Sequence, residues 1–206
     1  MPRWGLVSDV HGNLARLEEA LATLRQRGAT HLAFLGDYLG KGNPDACVRL
    51  IRGVADAAVV GNRDLDWQDR VALESKAWVL SLPRLVQAGP LLLTHGDARL
   101  SSGLDTGQVR RGFTRAWERM ANLDARVWAF GHSHHARTWS KAARDSEPVA
   151  IPGPRAALQT GARYMLNVGT TGLPFPGKGG PSVAVVDLDE GWAEHVSLAV
   201  HSADRA

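Results

Sequence analysis

Two hydrophobic patterns alternate along the first two thirds of the chain. "WGLVSD", "HLAFLGD", "DAAVVGN", "PLLLTHGD" and "RVWAFGHSHH" are short, continuous apolar runs without polar alternation, as expected of strands covered on both faces. Between them apolar residues recur at spacings of three and four. Leu14, Leu17, Leu21 and Leu24 form one helical face that stops at Gly28, and Ala46, Leu50, Ile51 and Val54 form another with Cys47 beside it. Further helical turns are expected around 71–82, and a helix near 108–122. Strands alternating with helices predict a sheet flanked by helices.

After Gly161 the pattern changes. "YMLNVGT", "PSVAVVDLD" and "WAEHVSLAV" follow one another with only loops between, which predicts an antiparallel meander. Gly and Pro thicken at 148–161 and again at 169–181, marking long loops. The mixture of strand types points to two packed sheets with helices outside.

Composition narrows this picture. A chain of 206 residues that is 44% hydrophobic can bury one substantial core, so one domain over 1–206 is expected, with 65–122 as a candidate helical cap. The net charge of +3 is the difference of 24 basic and 21 acidic side chains, a near-balance that argues only weakly, if at all, for a nucleic acid partner. A single cysteine excludes an internal disulfide or a cysteine-rich zinc site. No run approaches the roughly 18 uncharged apolar residues of a membrane span, so the expectation is a cytoplasmic protein without membrane attachment. Seven tryptophans are many, and Trp67, Trp78 and Trp117 are expected in the core or on a cap where they could stack a base.

The chemistry gathers where the strands end. In order, the five runs finish on Asp9 and His11, on Asp37, on Asn62, on His95, and on His132 and His134. Side chains at the carboxyl edge of an α/β sheet converge on one crevice. Taken singly, each has an ordinary use as a helix cap or turn residue. His132 and His134, two apart, point to the same side of an extended segment. Together the seven supply oxygen and imidazole and no thiolate. That exceeds what a four-coordinate structural zinc uses and implies two ions sharing a carboxylate. Two ions about 3.5–4 Å apart clamp the attacking and leaving oxygens of a displacement at phosphorus, which makes phosphate ester hydrolysis the natural chemistry.

In this order "DVH", "GDYLGKG", "GNRD", "THG" and "GHSH" resemble the calcineurin-like metallophosphoesterases, and "LNVGTTGLPFPGKGG" is similar to the "NPGSVGQPR" segment of their small bacterial members. The resemblance implies a four-layer α/β/β/α sandwich, two mixed sheets flanked by helices. It also implies Asp9, His11 and His134 on a first divalent ion, Asn62, His95 and His132 on a second, and Asp37 bridging. A hydroxide between the ions would attack phosphorus; Mn²⁺, Fe²⁺ and Zn²⁺ all suit the donors.

Asp37, Asn62, Arg63 and His95 are the catalytic candidates, and a small phosphorylated molecule is the expected substrate. Arg63 departs from the pattern, because relatives carry histidine there to help the leaving group. Arginine cannot give up a proton, although it can offer a charged fork to phosphate. That favours diesters and other substrates whose leaving group departs unaided, with a nucleoside polyphosphate hydrolase and a catalytically silent scaffold as alternatives. Asp64 is expected to cap the next helix, and Arg99, Arg137 and Lys178 are candidates for the crevice mouth.

Overall fold

Runs that are apolar on both faces occupy the interiors of two sheets. In the computed structural model, which describes residues 2–96 and 110–199, β1 (Arg3–Val7) pairs parallel with β2 (His31–Phe34) and antiparallel with β11 (Ser182–Asp187). The first six-stranded sheet runs β3 (Ala57–Ala58), β2, β1, β11, β12 (Trp192–Ser197) and β9 (Arg155–Ala157). The second runs β4 (Leu85–Ala88), β5 (Leu91–Thr94), β6 (Val127–Phe130), β10 (Ala162–Asn167), β7 (Arg137–Ala142) and β8 (Val149–Ile151).

Successive residues of a buried strand serve opposite faces. Leu6, Leu35, Leu93, Ala129, Leu166 and Val186 fill the space between the sheets. On the far side of the first sheet, Val7, Phe34 and Val185 meet Leu17, Leu21 and Leu24 of α1 (Leu14–Gln26) and Cys47 and Ile51 of α2 (Pro44–Val54). Across the second sheet, Leu92, Trp128, Phe130 and Met165 lie under Trp117 and Met120 of α5 (Arg110–Asn122). This is the expected four-layer α/β/β/α sandwich. Both leading helices start on asparagine: Asn13 and Asn43 accept the backbone N–H of Arg16 and Ala46.

Two expectations are corrected. The segment after Gly161 is no meander: β10 lies inside the second sheet between β6 and β7, and only β11 and β12 form an antiparallel pair, in the first sheet. Pairing partners so distant in sequence leave no trace in an apolar pattern, and the 168–181 loop carries the chain from one sheet to the other. Nor is the described part of 65–122 a helical cap. It supplies β4 and β5 to the second sheet, while α3 (Asn62–Trp67) and α4 (Leu73–Ser81) join the first sheet's helical layer through Leu65, Trp67, Trp78 and Val79. Trp67, Trp78 and Trp117 therefore pack in cores. Among the described residues no helix is long and apolar enough to cross a membrane.

His195 on β12 reaches the second sheet, with Nε2 3.1 Å from the Thr138 hydroxyl. Burial pushes its imidazole down to about 4, against a smaller opposing effect of the Arg137 backbone. The folded value lies below the unfolded one of about 6.5, so the associated stability is complete above pH 6.5 and declines as pH falls towards 4. The most it can contribute is about 3 kcal/mol. His195→Gln lacks this titration, so the stability gap to the parent protein should narrow between pH 7 and 4.5 in urea denaturation. Parallel profiles would contradict this reading.

Candidate metal centre

The strand-end residues share an unusual backbone. Asp9 (φ 56), His11 (φ 51), Asp37 (φ 57), His132 (φ 70) and His134 (φ 59) adopt the left-handed region, and among the described residues Asp124 is the one other non-glycine that does. Each costs about 1–2 kcal/mol for an L-residue, although Asp and His bear it better than most. Strain of this kind persists where surrounding bonds fix it. Here Asp9 N–H donates to Gly36 O (3.1 Å), His11 N–H to Asp37 O (2.9 Å) and Gly131 N–H to His95 O (2.7 Å). The His132 N–H donates to Asp9 Oδ2 at 3.0 Å, locking the first and fifth strand ends together.

Two glycines permit this closeness. Gly61 has φ −100, so its role is not left-handed geometry; an added Cβ would collide with the Asp37 carboxylate and backbone. At Gly131 a Cβ would collide with Ser8 Oγ and Asp9 Oδ2.

All seven positions converge, in two adjoining clusters. In the first, His11 Nε2 lies 3.2 Å from His134 Nε2, and His134 Nε2 lies 3.0 Å from Asp9 Oδ1. In the second, His132 Nδ1 is 2.7 Å from Asn62 Oδ1, and His95 Nε2 is 3.1 Å from Asn62 Oδ1 and 3.2 Å from His132 Nδ1. Asp37 Oδ2 stands between them, 3.4 Å from His95 Nε2 and 3.9 Å from His11 Nε2.

Imidazole orientation is set from behind. His95 Nδ1 donates to Leu35 O at 2.7 Å and His134 Nδ1 to Leu173 O at 2.6 Å, which turns both Nε2 atoms inward. Phe175 stacks on the His134 ring with centroids 4.4 Å apart and planes 13° off parallel.

The donor set fits a cation. Asp9 Oδ1 is buried without a hydrogen-bond partner, and Asn62 Oδ1, which can only accept, faces two imidazole nitrogens. Oxygen acceptors gathered without a matching set of donors are what a positive ion completes. The charges agree. Burial works to raise the Asp9 carboxyl, but the nearby His11 and His134 imidazoles and the His95 charge hold it well below the usual range. Burial lowers His95, yet Asp37 and Asp9 outweigh it and raise the imidazole to about 9. His132 is shifted down, by burial first and by His95 next.

Arg63 and Asp64 act differently from their sequence reading. The Arg63 side chain is 54% exposed and its guanidinium lies 4.0 Å from Asp66 Oδ2; its backbone N–H reaches the clusters, donating to Asp37 Oδ1 at 2.8 Å. Asp64 does brace the start of α3 by accepting the Gly61 N–H at 2.9 Å. It also accepts from the N–H groups of Asp37 (2.9 Å), Tyr38 (2.7 Å) and Leu39 (3.0 Å), tying the second strand end to the third. Burial, then the Asp37 charge, push its carboxyl up to about 6. Arg99 lies outside the described residues. Beside the second cluster opens a cavity of about 630 Å³ whose cationic lining residues are Arg84 and Arg119. Arg137 and Lys178, expected at the mouth, are not among its lining residues.

Comparison with known proteins bears on the family and the fold. A family model described as the calcineurin-like phosphoesterase superfamily domain matches residues 3–191. A metallophosphoesterase from Sphaerobacter thermophilus shares the fold with a TM-score of 0.77 at 22% identity, over 98% of this chain and 90% of that one. An archaeal phosphodiesterase gives a TM-score of 0.58 at 15% identity, over 95% of this chain and 99% of that one. In sequence, an uncharacterized protein of Methanocaldococcus jannaschii is 43% identical over 60 residues, which span 29% of this chain and 25% of that protein.

Proposed function

Because the chain belongs to the calcineurin-like phosphoesterase superfamily and is thus a hydrolase of phosphate esters, we propose that its clusters hold two divalent cations at which those esters are cleaved. In this reading Asp9, His11 and His134 hold one ion, Asn62, His95 and His132 the other, and Asp37 serves both. The observation that carries it is the Asp37 carboxylate, within 4 Å of an imidazole from each cluster. Such ions, when bound, supply an activated water and offset the charge that develops on phosphorus.

The chain's own residues do the positioning. The Leu35 and Leu173 carbonyls present imidazole lone pairs to the centre, and the Arg63 N–H and Asp64 fix Asp37. Mixed imidazole, amide and carboxylate donors suit Mn²⁺, Fe²⁺ or Zn²⁺. With no proton donor at position 63, substrates whose leaving group departs unaided are favoured, aryl diesters above all.

The test is protein loaded with each metal and assayed on p-nitrophenyl phosphate, bis(p-nitrophenyl) phosphate and dinucleoside polyphosphates, with elemental analysis alongside. Two equivalents of metal and chelator-sensitive hydrolysis are expected; a protein that takes up no divalent ion overturns the reading. Arg63→His keeps the backbone bond to Asp37 and adds a group able to protonate. Its kcat/KM should rise about 10- to 100-fold on alkyl esters, a part of the 10²–10⁴ typical of general acids, and little on nitrophenyl esters. Equal changes across leaving groups would remove any role for this position in expulsion.

A further inference from the structure

The cavity beside the second cluster is larger than a lone phosphoryl group requires. Its 630 Å³ lies within the size range of pockets for whole organic ligands, roughly 300–1,000 Å³. Asn62, His95 and His132 are among its lining residues, so anything filling it is continuous with the second cluster. The walls have two characters: Leu65 and Leu85 are apolar, and Arg84 and Arg119 are charged.

Register explains why Arg84 is there. Leu85 pairs with Thr94 at the end of the β4–β5 ladder, and Arg84 immediately precedes that pair as His95 immediately follows it. Arg119 comes from α5 and rests over the Trp128 ring, 6.0 Å from its centroid. Trp128 Nε1–H in turn donates to Thr94 Oγ1 at 2.9 Å, the residue that precedes His95. One guanidinium thus sits beside the hairpin that leads to His95, and the other rests on a tryptophan bonded to the residue before it. Among the described residues neither meets a carboxylate within ion-pair distance, and the pocket they line already has an apolar wall. Cleavage at phosphorus needs neither feature.

We propose that this cavity is a subsite for a second phosphate, held by Arg84 and Arg119, with a flat apolar group against Leu65 and Leu85. The substrates are then nucleotide-like esters or anhydrides, not simple monoesters; this rests on the hydrolase reading above. Guanidinium forks match phosphate oxygens with charged, paired hydrogen bonds.

The test is calorimetric binding of ADP and of inorganic phosphate to metal-loaded full-length protein, comparing the parent with R84Q, R119Q and the double variant. The parent should prefer ADP, and that preference should fall about tenfold per arginine and about a hundredfold in the double variant. A parent with no preference, or a double variant that keeps it, overturns the subsite. Hydrolysis is read separately with p-nitrophenyl phosphate and diadenosine tetraphosphate. An ADP preference that depends on the arginines, in a protein that cleaves neither, supports the subsite and sinks the hydrolase reading instead.

Discussion

Asp37→Asn is expected to lower kcat/KM on any cleaved ester by about 10³ or more and to reduce bound metal from two equivalents to at most one. The substitution keeps shape and tolerance of the left-handed φ of 57 found at this position. What it removes is the charge that lies between the clusters, 3.4 Å from His95 and 3.9 Å from His11. Charge stabilisation by an ion is worth several kcal/mol in a transition state, and each 1.36 kcal/mol is a factor of ten.

The accompanying stability change separates this role from a structural one. Asp9, Asp37 and Asp64 are three buried carboxylates close together, and Asp37 is part of what raises Asp64 to about 6. Relieving that repulsion offsets the loss of Asp37 as a charged partner of His95, so the metal-free variant should differ little in stability from the metal-free parent. Added metal, by contrast, should stabilise the parent by about 2.7 kcal/mol at a hundredfold excess over Kd, and the variant much less. Thermal unfolding with and without metal gives both numbers. A variant that keeps two equivalents and activity within tenfold would show that Asp37 is dispensable to the pair.

The candidate site was legible because its chemistry lies in side-chain identity. Asp, His and Asn at successive strand ends are rare enough together to be read as one crevice, and Asp9 meets His134 and Asp37 meets His95 across separations of 125 and 58 residues in the chain. The parts that hold them were silent for physical reasons. Leu35 and Leu173 act through carbonyls, which every residue has. Gly61 looks like a turn glycine, yet its constraint is the Asp37 carboxylate packed against its α-carbon, a contact with no local signature. In the fold, the helices and the strands apolar on both faces were readable from periodicity. The position of β10 was not, because "ARYMLN" buries both faces equally well in either sheet; only its pairing with β6 and β7 decides.

Asp64 gives the second large effect, and it is an effect on folding first. Its two carboxylate oxygens accept four backbone N–H groups, from Asp37, Tyr38, Leu39 and Gly61, in a site with no solvent exposure. Asp64→Ala leaves all four donors buried without an acceptor. Breaking a buried charged arrangement in this way costs about 3–5 kcal/mol, which in a chain of this size lowers Tm by about 10 °C. Asp64→Asn keeps one accepting oxygen but turns an amide N–H toward the remaining donors, so it should fall between the parent and the alanine variant. The loops at 36–39 and 61–64 are joined by this side chain and by the Arg63 N–H on Asp37. Their loosening should therefore cost metal affinity as well, by the 10- to 100-fold usual when a group supporting a ligand is lost. Differential scanning calorimetry on metal-free protein measures the first effect and metal titration the second. A Tm within about 2 °C of the parent would mean that the four bonds contribute little, and an unchanged metal affinity beside a lowered Tm would confine Asp64 to the fold.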